Sequence, residues 1–336
     1  MFALVMATGI VSVGLLMQGL RTLSTALLWL AAACYLVLVA LNVRRAAVFR
    51  HDMRQDLTRS SRGVGFFTFV AGTNVLGTRL AFDGHTTTAA VLLVVGGLAW
   101  LVLGYLLPVT VMLHHRGWSA ATRADGTWFT WVVAAQSVAV LAAALQGGTG
   151  TARQELALLA VFAWSVGVFC YAVVGILVAT RLMLDRPSPA DLSPPYWVGM
   201  GATAITVLAG ARILSMADTA VITATRELVT GVSVLFWAFG TWLIPALLAA
   251  GWWRHVTHRV PLRYESLWWN IVFPLGMYGV ATRTLGDTVH LPLLTMIGTH
   301  ELWIALTAWA ATFTAMLWSL TRAVRRNSAS GPGNTR

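Results

Sequence analysis

Apolar runs of roughly twenty residues, separated by short polar stretches, recur ten times along this chain. That is the length a helix needs to cross the hydrocarbon core of a bilayer. The runs cover residues 2–20, 23–43, 63–82, 87–113, 127–146, 156–184, 195–216, 228–250, 268–285 and 301–321. They also pair off. The odd-numbered runs begin near residues 2, 63, 127, 195 and 268, in steps of 61, 64, 68 and 73. A drifting period of that size, one helical hairpin per unit, predicts five parallel repeats rather than two inverted halves. The expected fold is an all-α integral membrane protein of ten transmembrane helices.

The two members of each pair differ. Runs 4 and 10 are largely aliphatic and aromatic, as suits helices facing lipid, whereas the odd runs hold more small and polar residues. In run 7, Gly199, Thr203, Thr206 and Gly210 follow steps of four, three and four, which draws one stripe down a helix face. Run 3 sets Val70, Thr73 and Gly77 on one face beside Asn74, and run 9 aligns Phe273, Gly276, Gly279 and Arg283. Such stripes serve either close helix packing or the lining of a shared path. The recurrence in odd runs favours the path.

Composition narrows the class. The chain is 57% hydrophobic and 10% charged, against about 25% charged in soluble domains, and its mean hydropathy is +0.73. Residues 1–321 therefore read as one membrane domain, and the Arg-, Ser- and Gly-rich residues 322–336 as a disordered cytoplasmic tail. All 23 basic residues are Arg. Placing the Arg-rich second connection (Arg44, Arg45, Arg50, Arg54, Arg59, Arg62) in the cytoplasm puts 17 Arg inside and six outside, while the acids split evenly. Both termini are then cytoplasmic, and the basic excess is a topology signal with no nucleic-acid partner implied. Cys34 and Cys170 lie within apolar runs and imply no disulfide. The first run is apolar from Met1 with no basic lead and no cleavage site, so it reads as a membrane helix, its lead-in lost to a late start codon, and not as a signal peptide.

Candidate chemistry is sparse. The twelve acids, among them Glu155, Glu227 and Glu301, fall in connections or at the ends of runs, which argues against a cation channel or a carboxylate relay. The eight histidines are also peripheral, the adjacent pair His114–His115 included, so no metal or other cofactor is expected. No nucleophile motif is present, and an enzyme is disfavoured. Arg21, Arg79, Arg212 and Arg283 fall at the outer ends of odd runs. They either snorkel to the interface or focus anions at a mouth; the two roles are compatible. The stretch NIVFPLGMYGVATR, residues 270–283, concentrates helix-weakening residues, with Pro274 expected to bend run 9 beside a bulky Phe273. That ring either projects across an axis as a plug or packs between helices.

Two motifs carry a resemblance. FALVMATGIVSVGL at residues 2–15, which holds Thr8 and Gly9, and WWNIVFPLGMYGVAT at 268–282 resemble the first and ninth helices of the tellurite-resistance/dicarboxylate transporter family. That family includes bacterial TehA-type channels, plant slow anion channels, and fungal malate and sulfite exporters. The resemblance implies five odd helices around a central pore, ringed by five even ones with quasi-fivefold symmetry, and homotrimers with one pore per subunit. It also places the pore-blocking aromatic on Phe273. The expected function is passage of small inorganic or organic anions across the inner membrane. Phe273 and Pro274 form the gate; Thr8, Gly9, Thr73, Asn74, Thr203, Thr206, Gly276 and Gly279 form the lining; the four arginines form the mouth. The alternatives are a proton-coupled exporter of a C4-dicarboxylate or sulfite, and, further off, a membrane enzyme or haem protein.

Overall fold

A computed structural model describes residues 2–58, 63–114, 124–147, 152–185, 188–189 and 191–329. Arg59, Arg62, His115, Arg116, Arg123, Arg186 and Arg336 lie outside the described residues. Within them the protein is helical, with no strand. The ten long helices are α1 (Ala3–Met17), α2 (Arg21–Val48), α3 (Phe67–Phe82), α4 (Thr86–His114), α5 (Phe129–Gln146), α6 (Arg153–Leu184), α7 (Trp197–Leu214), α8 (Ala220–Trp252), α9 (Trp269–Thr288) and α10 (Pro292–Ala329). A short helix, Arg50–Thr58, follows α2.

Seven of the helices are long and apolar enough to cross a membrane. The exceptions are α1 and α3, of 15 and 16 residues, and α9, which carries Asn270, Arg283 and Asp287. All three belong to the buried set. A helix sheathed by protein need not present an apolar surface to lipid, so it can be short or partly polar. The even helices do the opposite. Trp29, Leu36, Leu98, Tyr105, Phe169, Ile176, Leu235, Trp242, Ile304 and Trp318 all stand exposed on them, a skin that suits lipid.

Packing follows the chain order. Each odd helix lies against the even helix that follows it. Gly19 and Gly84 take the left-handed conformation (φ 80° and 84°) that closes α1 and α3, a cap that favours glycine. His290 does the same after α9 (φ 56°), where the Leu291 amide donates to the Gly286 carbonyl at 2.8 Å. The odd helices also touch one another in sequence: α1 packs on α3, α3 on α5, α5 on α7, α7 on α9, and α9 returns to α1. Helices α5 and α7 are buried along nearly their whole length.

Two expectations change, and α9 runs unbroken through Pro274. α10 begins at Pro292, so Glu301 sits more than two turns inside a helix rather than at its start. The apolar pattern missed that turn because Thr299, His300 and Glu301 interrupt it. α10 also runs past Thr321 to Ala329, with Arg322 stacked on the Trp318 ring at 3.5 Å, so the segment expected as a loose tail begins as helix. Pro274 leaves α9 a single helix. It costs only one backbone bond near the helix start, and its ring fills space at Gly201 of α7, where a Cβ would meet Pro274 Cγ at 2.9 Å.

Candidate functional site

The circuit of odd helices encloses a narrow cavity in its C-terminal half, with about 20 Å³ open to the centre of a water-sized sphere. All five odd helices contribute to its wall. Val75, Thr78 and Phe82 come from α3, and Ile205, Leu208 and Arg212 from α7, each trio spaced by three and four residues along one helix face. α1 adds Ile10 and Val13, α5 adds Ser137 and Val140, and α9 adds Met277 and Val280. The wall is mostly aliphatic, with two hydroxyls and one guanidinium.

Neither hydroxyl has a proton to spare. Thr78 Oγ1 donates to the Asn74 carbonyl at 2.8 Å, and Ser137 Oγ donates to the Ala134 carbonyl at 2.7 Å while accepting from Asn74 Nδ2 at 2.9 Å. Arg212 differs. Its guanidinium lies over the Phe82 ring, 4.7 Å from the centroid, and its buried Nε has no hydrogen-bond partner. Among the described residues it is the one charged group in the cavity wall.

Phe273 is buried, 1% exposed. It precedes Met277 by four residues and Val280 by seven, so helical spacing puts it on the cavity-facing side, one turn toward the start of α9. Phe273 is not among the residues of the cavity wall; its ring is packed in the buried core, one turn before Met277.

The expected lining residues sit elsewhere. None of the eight is in the cavity wall. Thr8 Oγ1 accepts from Trp309 Nε1 of α10 at 3.0 Å, and Thr73 Oγ1 pairs with the Tyr35 hydroxyl of α2 at 3.0 Å. Asn74 faces Gly96 of α4, Thr203 faces Gly240 of α8, and Gly279 faces Leu302 of α10. Gly9 and Gly276 admit Val75 and Ile10 from neighbouring odd helices. The Thr206 carbonyl accepts from Trp164 Nε1 of α6 at 3.1 Å. Thr8, Thr73, Thr203 and Gly279 here receive flanking helices, while Gly9 and Gly276 serve contacts between odd helices.

The four arginines have different surroundings. Arg21 is exposed at the start of α2. Arg79 is wholly buried: its Nε donates to Ser12 and Ser24 Oγ at 3.1 Å, its Nη2 donates to Ser24 Oγ at 3.0 Å, and its Nη1 pairs with Asp83 at 2.7 Å. Arg283 lies against Gly298 of α10, with Nε and Nη1 buried and lacking hydrogen bonds. Arg212 alone reaches the cavity. The pattern reading missed Ser137, Thr78 and the aliphatic wall because it sought a polar lining. The available signal was the matched spacing of 75/78/82 and 205/208/212 in two odd runs.

The family profile described as voltage-dependent anion channel (SLAC1) matches residues 1–317. The chain belongs to the SLAC1 family. This SLAC1-family chain is 57% identical over 163 residues to an uncharacterized membrane protein of Mycobacterium tuberculosis H37Rv, covering 48% of this chain and 83% of that protein. It is 23% identical over 322 residues to an uncharacterized transporter of Methanocaldococcus jannaschii, covering 93% and 90%. A second uncharacterized transporter of that archaeon shares 26% identity over 164 residues, 49% of this chain and 46% of the other. Family membership and the apolar helices make this a multi-pass membrane protein of an anion-transporting family.

Proposed function

We propose that the protein is a channel for small anions, built from ten transmembrane helices as five hairpins with quasi-fivefold symmetry, its path running along the axis of the odd helices. The observation that carries this reading is the cavity itself: every odd helix contributes to it, and among the described residues its one charged liner is the Arg212 guanidinium. A positive group in a low-dielectric wall favours anions over cations. Phe273, on the same face as Met277 and Val280, acts as the gate, with Pro274 holding the backbone of α9 against Gly201. Both termini face the cytoplasm, the protein sits in the inner membrane, and subunits associate as homotrimers, each with its own path.

Anion flux into proteoliposomes tests the gate. Phe273→Ala removes the ring and should raise chloride and nitrate flux above wild type in a protein that remains folded. A ring that only packs would give a different result, a loss of about 3–5 kcal/mol in stability with no gain in flux. Flux at or below the wild-type level in a well-folded variant sinks the gate. A path that equally carries sodium or potassium sinks the anion channel.

A further inference from the structure

We propose that Arg212 and Phe82 form an anion-operated latch across the C-terminal end of the cavity: a single halide-sized anion binds Arg212 by displacing its guanidinium from the Phe82 ring. The inference rests on the reading of the cavity as an anion path and adds a defined binding site to it.

The geometry points there for three reasons. First, α3 and α7 are not neighbours in the circuit of odd helices, because α5 lies between them. The Arg212–Phe82 contact at 4.7 Å therefore reaches across the cavity rather than along one helix–helix seam. Both side chains line the cavity, and both come from the last turn of their helices, so together they close its end. Second, Arg212 is the donor without a commitment. Its buried Nε lacks a hydrogen-bond partner, whereas the protons of Thr78 and Ser137 are already given to helix carbonyls. Arg79, by contrast, has Asp83, Ser12 and Ser24. Third, an aromatic face is a weak substitute for an anion. Cation–π attraction comes from a ring quadrupole, whereas a charge-assisted hydrogen bond satisfies the guanidinium directly. An arriving anion outbids the ring, and the ring recaptures the arginine once the anion leaves.

The cavity is narrow, about 20 Å³ for a water-sized sphere, so the anion it takes with least rearrangement is a small one such as a halide.

The latch makes a coupled prediction that a solely structural arginine would not. In the Phe273→Ala background, chloride conductance should saturate. Phe82→Leu keeps the apolar bulk but removes the competing face, and should lower the half-saturating chloride concentration about three- to tenfold. Arg212→Gln should abolish saturation, and adding Phe82→Leu to it should then change nothing. Crystals soaked in bromide should show anomalous scattering beside Arg212, absent in Arg212→Gln and retained in Arg212→Lys. An unchanged half-saturation in a folded Phe82→Leu variant, or a conducting protein with no bromide beside Arg212, overturns the latch. Bromide beside Arg212 in a protein that passes no anion, even as Phe273→Ala, leaves the binding site standing and removes the channel.

Discussion

Consider removing one charge from the buried cluster between α1, α2 and α3, by either of two routes. Arg79→Met takes out the guanidinium; Asp83→Asn takes out its counter-charge. Breaking a buried pair from one side costs more than removing the charge that must be buried, because the survivor is left uncompensated. Here the asymmetry is set by exposure. Arg79 is wholly buried, whereas the Asp83 side chain is about one-third open (32%). After Arg79→Met, Asp83 regains water. Ser12 and Ser24 also keep their own clasp, each hydroxyl donating to the other's backbone carbonyl at 2.7 Å. Nothing polar is stranded, and the cost is about 1–2 kcal/mol of lost charge-assisted bonding. After Asp83→Asn the guanidinium stays buried with two hydroxyls and no counter-charge. A fully buried pair broken this way loses about 3–5 kcal/mol; with Asp83 partly exposed the figure falls to about 2–3 kcal/mol.

The assay is thermal unfolding of purified protein in one detergent at a fixed scan rate, since membrane-protein unfolding is usually a rate rather than an equilibrium. Asp83→Asn should unfold several degrees below Arg79→Met, and the double variant should fall close to Arg79→Met alone. Flux supplies the second readout. An arginine neutralised inside a cluster has little long-range field, so any loss of flux in Arg79→Met should be the same at low and high ionic strength. The reasoning is refuted if Arg79→Met is the less stable of the two. A flux deficit in Arg79→Met that appears only at low salt, where screening is weak, would make Arg79 an anion-focusing residue after all.

Two further outcomes follow from the packing of α4 and the turn after α9. A methyl at Gly96 meets Asn74 Oδ1 at 2.3 Å and disturbs the amide that donates to Ser137, so Gly96→Ala should cost about 1–3 kcal/mol. The neighbouring Gly97 has open space around its Cβ position, and Gly97→Ala should be neutral or stabilising by up to about 1 kcal/mol; thermal unfolding of the pair checks both. His290 is exposed and holds φ at 56°, so His290→Gly should raise stability by about 0.5–1 kcal/mol, and a lower melting point would mean the side chain makes a contact that matters.

The helical character and the odd–even asymmetry were legible because they rest on hydropathy, which lipid imposes over twenty residues at a time. The start of α10 was less so. Its first turns carry Thr295, Thr299, His300 and Glu301, and a polar turn on an otherwise apolar helix reads as a loop unless its neighbours are known. Thr299, for instance, offers its carbonyl to Gln18 Nε2 at 2.8 Å. Of the candidate site, Arg212 was singled out from the sequence and does line the cavity, whereas the aliphatic walls were not read. Stripes of Thr and Gly mark a helix face that meets something closely, yet spacing alone does not say whether that partner is a neighbouring helix or an open path. Thr203, Thr8 and Thr73 met neighbouring helices, whereas the Thr206 hydroxyl donates to the Ala202 carbonyl of its own helix.

That misdirection has a physical cause that bears on the proposed path. A hydroxyl or amide deep in a membrane protein must find a partner, and the outer helices supply them: Trp309 for Thr8, Tyr35 for Thr73, and Trp237 for Thr282 at 3.2 Å. Several polar groups on the odd helices thus hold even helices in place, and the cavity wall is mainly aliphatic. An aliphatic axis solvates an ion poorly along its length. Selection then rests on the few groups that interrupt it. Among the described residues the charged group in the cavity wall is Arg212, held over the Phe82 ring, and the proposed gate, Phe273, lies one turn before Met277 along α9. If the channel reading holds, substitutions in the Thr and Gly stripes will change how well the protein folds, and substitutions at 82, 212 and 273 will change what passes.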